Sequence, residues 1–119
     1  MLKLYVYQGC STCRDAMKWL KAKSVAFQEI PIRETPPGIP DLEAMLAAKE
    51  GDLRKLFNSS GMDYRAMNLK DKLPAMTQNE ALALLSSHGN LVKRPFALDP
   101  EAGVFLLGFK EKEWQAAFA

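Results

Sequence analysis

Tyr7-Gln8-Gly9-Cys10-Ser11-Thr12-Cys13-Arg14 contains the only two cysteines among the 119 residues, with two residues between them. Ahead of it, Leu2, Leu4 and Val6 alternate with Lys3, Tyr5 and Tyr7, the period of a strand. Behind it the period lengthens. Ala16, Met17 and Leu20 recur at helical spacing while Lys18, Lys21 and Lys23 take the solvated side, which predicts a helix from about Ser11 to Lys23. Cys10 therefore falls just before a helix, where unpaired backbone N–H groups and the positive end of the helix dipole favour an anion. Arg14 adds a cation in the first turn. Thiolate is the reactive form of cysteine, and such surroundings lower its pKa from about 8.5 to roughly 3.5–7.5. A strand, a glycine turn, a Cys-x-x-Cys and a helix start make a redox-active or nucleophilic thiol site the leading reading.

Two plainer readings compete with it. The thiols could be buried and inert, but inert thiols need no glycine turn and helix start beside them. A zinc site would need ligands this chain lacks nearby, because two cysteines do not complete a tetrahedron and the single histidine, His88, is distant in sequence. Only sharing between two chains would supply more.

Working outward, Ala26-Phe27-Gln28-Glu29-Ile30 reads as a second strand, so the first thirty-odd residues form a βαβ unit with a parallel pair. Pro31, Pro36, Pro37, Gly38 and Pro40 mark a loop. From Asp41 to about Leu85 no strand is expected; Leu42, Met45 and Leu46 form one helical stripe, and Leu53, Leu56 and Phe57 another. Asn58-Ser59-Ser60-Gly61 reads as a turn, and Thr77-Gln78-Asn79-Glu80 is a capping box opening a helix. His88-Gly89-Asn90 is expected to end that helix, with glycine as a left-handed cap and His88 as a helix-end residue. Phe96–Leu98 and Val104–Leu107 read as strands joined by Asp99-Pro100-Glu101-Ala102-Gly103, and a last helix over Lys110–Phe118 places Trp114 and Phe118 inward.

The order β-α-β, helical insert, β-β-α suits an α/β fold of thioredoxin type: a four-stranded mixed sheet with helices on its faces. Length implies one domain over 1–119 with a helical insertion at about 40–87. Composition is ordinary for a globular protein, with 48% hydrophobic and 25% charged residues. A net charge of +2 without a long basic run gives no support for direct nucleic-acid binding. No apolar stretch approaches a membrane span and no signal-peptide pattern opens the chain, so a cytoplasmic location is expected.

With these residues in hand, the chain resembles the ArsC/Spx family, which includes glutaredoxin-coupled arsenate reductases and Spx-type redox regulators of RNA polymerase. The matching pieces are Gly9-Cys10-Ser11-Thr12-Cys13-Arg14, Glu34-Thr35-Pro36-Pro37, Phe57-Asn58-Ser59-Ser60-Gly61, Lys93-Arg94-Pro95 and Val104 to Phe109. The resemblance implies Cys10 as nucleophile, Cys13 as resolving thiol and Arg94 as an anion or thiolate partner. It implies Ser11, Thr12, Arg14 and Pro95 as substrate-binding residues, with a cis peptide at Arg94–Pro95. It implies no bound metal or cofactor, and glutathione, glutaredoxin or thioredoxin as electron donor. In the family's arsenate reductases three arginines hold the oxyanion; one matches Arg94, while Asn58 and Gly108 stand where the other two would be, leaving Arg54 or Arg65 as replacements. Cys13 matches the Spx-type pattern, whereas those regulators continue into a charged tail beyond the point where this chain ends, at Ala119. Three functions follow as expectations: a thiol–disulfide oxidoreductase first, an arsenate reductase second, and a redox regulator with RNA polymerase as partner third.

Overall fold

The computed structural model describes residues 1–119, which group into two compact units, Met1–Pro31 with Arg94–Ala119, and Ile32–Lys93.

The first unit is built on a four-stranded sheet in the order β2-β1-β3-β4. β1 (Leu2–Val6) lies inside it, parallel to β2 (Phe27–Pro31) and antiparallel to β3 (Phe96–Asp99), which pairs antiparallel with β4 (Val104–Leu107). Pro31 has no N–H to give the ladder and sits on the edge strand, where none is needed. Leu2, Leu4 and Val6 are buried as their alternation requires, but Tyr5 is buried too. Its partner across the sheet is Phe96, and their rings meet edge-on with centroids 5.5 Å apart. A central strand covered on both faces does not show clean alternation.

α1 (Ser11–Ala22) buries Cys13, Ala16 and Leu20, a stripe three and then four residues apart. They join the core formed by Leu2, Leu4, Val6, Ala97, Val104, Leu106 and Trp114. The β3–β4 connection is a 3-10 turn, Pro100–Ala102, closed by Gly103 at φ +71°, a left-handed conformation that glycine adopts without penalty. α6 (Glu111–Ala117) contributes Trp114, which is fully buried and donates its indole N–H to the Gly108 carbonyl at 3.0 Å. Phe118 lies just past the helix and is half-buried, against Trp19 and Trp114.

The second unit is helical: α2 (Ile39–Ala48), α3 (Met62–Ala66), α4 (Leu69–Lys72) and α5 (Gln78–Ser87), with 3-10 turns at Leu53–Leu56, Leu73–Ala75 and Gly89–Leu91. Leu42, Met45 and Leu46 are buried on α2, and Ala81, Leu82 and Leu85 on α5, which packs against it. The capping box is complete: the Glu80 N–H donates to Thr77 Oγ1 at 3.1 Å and the Thr77 N–H to Glu80 Oε1 at 2.9 Å. Extended pairing in this unit is confined to one antiparallel bridge, Phe57 with Val92.

Gly89 corrects the expected helix end. α5 stops at Ser87, His88 caps it at φ −136° and ψ 88°, and Gly89 has no positive φ. Space is what demands glycine here. A Cβ on Gly89 would lie 1.8 Å from the Ile32 carbonyl oxygen, so two stretches of backbone meet at this point.

Candidate active site

The end of β1 leads directly into the thiol pair. The Cys10 N–H donates to the Tyr7 carbonyl at 3.0 Å, closing the turn, and Arg14 N–H donates to the Cys10 carbonyl at 3.1 Å, opening α1. Cys10 is thus the N-cap, with extended backbone at φ −98° and ψ 114°. Its sulfur does what a serine or aspartate oxygen does at such a position: it accepts from a free N–H of the first turn, that of Cys13, at 3.3 Å.

The two thiols are free and differ in surroundings: Cys10 is half-buried, Cys13 fully buried. Partial burial opposes ionisation of Cys10, but the Cys13 thiol and backbone N–H donate toward its sulfur, and Arg94 adds a hydrogen bond and its positive charge. The sum holds Cys10 below the ordinary thiol value. Cys13 is pushed up to about 12, chiefly by burial, with the neighbouring Cys10 adding to the rise and a backbone hydrogen bond from Tyr7 and the Arg94 charge opposing it. One residue of the pair is suited to be a thiolate and the other to stay protonated.

The cation beside Cys10 is Arg94, which enters from the start of β3. Arg14, expected in that role, turns its guanidinium away and donates from Nη1 to the Gln8 carbonyl at 2.8 Å. It braces the turn and is absent from the groups that lower Cys10. The Arg94–Pro95 peptide is cis, as the resemblance implied, and the Pro95 carbonyl accepts the Gly108 N–H at 3.0 Å. Ser11 and Thr12 are exposed on the first turn of α1.

Tyr7 opens the stretch that carries the thiols, but sequence reasoning gave it no role in the site. Its ring lies over Gly9, where a Cβ would come within 2.6 Å of Tyr7 Cε2, and the Arg94 guanidinium carbon stands 5.1 Å from the ring centroid. An aromatic residue two positions before a glycine was the available signal.

The positions matched to the other two oxyanion arginines serve backbone roles. Gly108 is buried at φ +69°, with its N–H given to Pro95 and its carbonyl to Trp114. Asn58, in the Ile32–Lys93 unit, donates its backbone N–H to the Leu91 carbonyl at 2.7 Å. Arg54 and Arg65 are exposed residues of that same unit. No three His, Cys, Asp or Glu side chains gather as metal ligands, and no helix is long and apolar enough to cross a membrane.

Comparison with known proteins agrees with this architecture. The model of the ArsC family matches residues 5–117. The protein YusI of Bacillus subtilis (strain 168) is 44% identical over 118 residues, covering 99% of this chain and 98% of its own. The global transcriptional regulator Spx of Enterococcus faecalis is 29% identical over 114 residues, covering 95% of this chain and 83% of the regulator. A crystal structure from Streptococcus mutans UA159, described as a possible arsenate reductase, superposes with a TM-score of 0.87 at 36% identity, covering 97% of this chain and 98% of that one. A match over nearly the whole length, with a thiol at the N-cap of the first helix, makes this chain a member of the ArsC family.

Proposed function

We propose that this protein is a thiol–disulfide oxidoreductase in which Cys10 attacks and Cys13 resolves. The observation that carries this reading is the opposed acidity of two free thiols three residues apart, with Cys10 held low at a helix N-cap and Cys13 held high by burial. The Cys10 thiolate attacks one sulfur of a substrate disulfide; that S–S bond breaks, a mixed disulfide forms and the first substrate thiolate leaves. Bonding at Cys10 removes the negative charge that helps keep Cys13 protonated. Cys13 then gives up its proton to the departing thiolate and attacks the Cys10 sulfur. A Cys10–Cys13 disulfide forms, the second substrate sulfur leaves as a thiolate, and two electrons have passed to the substrate. A cytoplasmic thiol donor, glutathione, glutaredoxin or thioredoxin, returns them. Arg94 holds the attacking thiolate, and Pro95, Ser11, Thr12 and Arg14 border the substrate.

Arsenate reduction is a second reading, favoured by Arg94 beside Cys10. It is weakened by Gly108. An arginine there would sit at φ +69°, which costs a side chain about 1 kcal/mol or more. An oxyanion cradle short of two charge-assisted hydrogen bonds is weaker by roughly 3–6 kcal/mol, about two to four orders of magnitude in kcat/KM.

One preparation assayed with arsenate and with a mixed glutathione disulfide tests the choice. Disulfide turnover that needs both Cys10 and Cys13, with a mass loss of two hydrogens after mild peroxide, is the expected result. Efficient arsenate reduction abolished by Cys10→Ser but untouched by Cys13→Ser would overturn it.

A further inference from the structure

We propose that Tyr7 is a positioning residue of this site, its aromatic face holding the Arg94 guanidinium beside the Cys10 sulfur. This rests on the reading of Cys10 as the reactive thiol. The geometry is a stack of three parts. Gly9 lacks the Cβ that would press on the Tyr7 ring at 2.6 Å, so the ring can lie down on the turn. The guanidinium carbon of Arg94 then rests 5.1 Å from the ring centroid, within cation–π range. The Tyr7 carbonyl accepts the Cys10 N–H from the same turn, so the ring and the sulfur are referenced to one short piece of backbone.

The arrangement addresses a problem of arginine. A long side chain with several rotatable bonds must lose much of its freedom before it can stand at a fixed place beside a sulfur. An aromatic face limits that freedom without withdrawing the guanidinium's N–H donors, which lie in the guanidinium plane and stay available to an acceptor at its edge. Arg94 can therefore rest on Tyr7 and still act on Cys10, whose thiolate it favours through both a hydrogen bond and its charge. Arg14, bonded to the Gln8 carbonyl, is not placed to substitute.

The test separates the ring from the backbone, because side-chain substitution leaves the Tyr7 carbonyl in place. The rate of Cys10 alkylation by iodoacetamide is followed from pH 5 to 10, with peptide mass spectrometry to assign the label, in wild type, Tyr7→Phe, Tyr7→Leu and Arg94→Ala. Tyr7→Phe keeps the ring and is expected to keep the profile. Tyr7→Leu is expected to move the midpoint upward in the direction of Arg94→Ala, lowering the rate at pH 6 by roughly two- to fourfold while the alkaline plateau rises slightly, since a less acidic thiol gives a more nucleophilic thiolate. Should Tyr7→Leu fail the far-UV circular dichroism check for folding, Tyr7→Met, flexible and without a ring, takes its place. An unchanged profile in the ring-less variant, while Arg94→Ala shifts, overturns the role of Tyr7 and leaves the thiol reading standing. An equal shift in Tyr7→Phe also overturns it, since the hydroxyl would then be the active group. A wild-type Cys10 that titrates as an ordinary thiol would instead remove the thiol reading beneath both.

Discussion

Selective alkylation of Cys10 over Cys13 follows directly from their surroundings. Cys13 stands near 12, so at pH 7 about one molecule in 10⁵ carries its thiolate. A thiol at the ordinary value of 9.0 would be ionised in about one molecule in 10², and Cys10 lies below that value. The thiolate populations thus differ by about 10³ or more. Reactivity per thiolate runs the other way, because nucleophilicity falls with pKa at a Brønsted slope of about 0.4–0.5. Over three units that returns a factor of roughly 15–30 to Cys13. Cys10 should still label at least about thirtyfold faster at pH 7, before the complete burial of Cys13 is counted. The sign with pH is fixed as well: Cys10 labelling passes its midpoint at a lower pH than an ordinary thiol and then levels off, while Cys13 labelling keeps rising toward pH 12. Quench-flow alkylation with iodoacetamide, digestion and mass spectrometry reads both sites in one sample. Comparable labelling of the two at pH 7, or Cys13 ahead, would refute the assignment of which thiol is exposed to attack and which is held back.

The packing makes two further predictions. Trp114→Ala should lose about 3–5 kcal/mol in urea unfolding, as expected for a large side chain removed from a fully buried site. Trp114→Phe should lose less, and part of that loss is the bond to the Gly108 carbonyl, about 1 kcal/mol. Gly89→Ala should be far worse than Gly51→Ala, although only Gly51 has a positive φ, because a Cβ at Gly51 meets open space while one at Gly89 strikes the Ile32 carbonyl. Gly51→Ala should cost about 1 kcal/mol; equal midpoints in thermal melts would show that the close approach at Gly89 is not there.

Local rules made much of the chain readable. β1, α1, β3, β4 and the Thr77 capping box could be found because each depends on neighbours in sequence: a period of two, a period of 3.6, a side chain reaching three residues along the chain. Cys10 could be placed at a helix start for the same reason. Gly89 was misread because a glycine after a helix has two uses. The left-handed cap is visible in sequence; the approach of Ile32, 57 positions earlier, is not. The burial of Tyr5 was not legible, because alternation cannot report that a strand will be covered on both faces.

The site divides along the same line. A strand, a turn and a Cys-x-x-Cys at a helix start dictate a thiol held among backbone N–H groups, since all of those contacts lie within a few residues. Which cation serves that thiol is a long-range matter. Arg14 is four residues from Cys10 and Arg94 is 84, yet chain folding turns Arg14 to the Gln8 carbonyl and brings Arg94 onto Tyr7 and toward the sulfur. The same pairing of β1 with β3 that sets Tyr5 opposite Phe96 delivers Arg94 from just before β3 to the end of β1. Hydrogen-bonded strand register acts across the whole length of the chain, and no local periodicity encodes it.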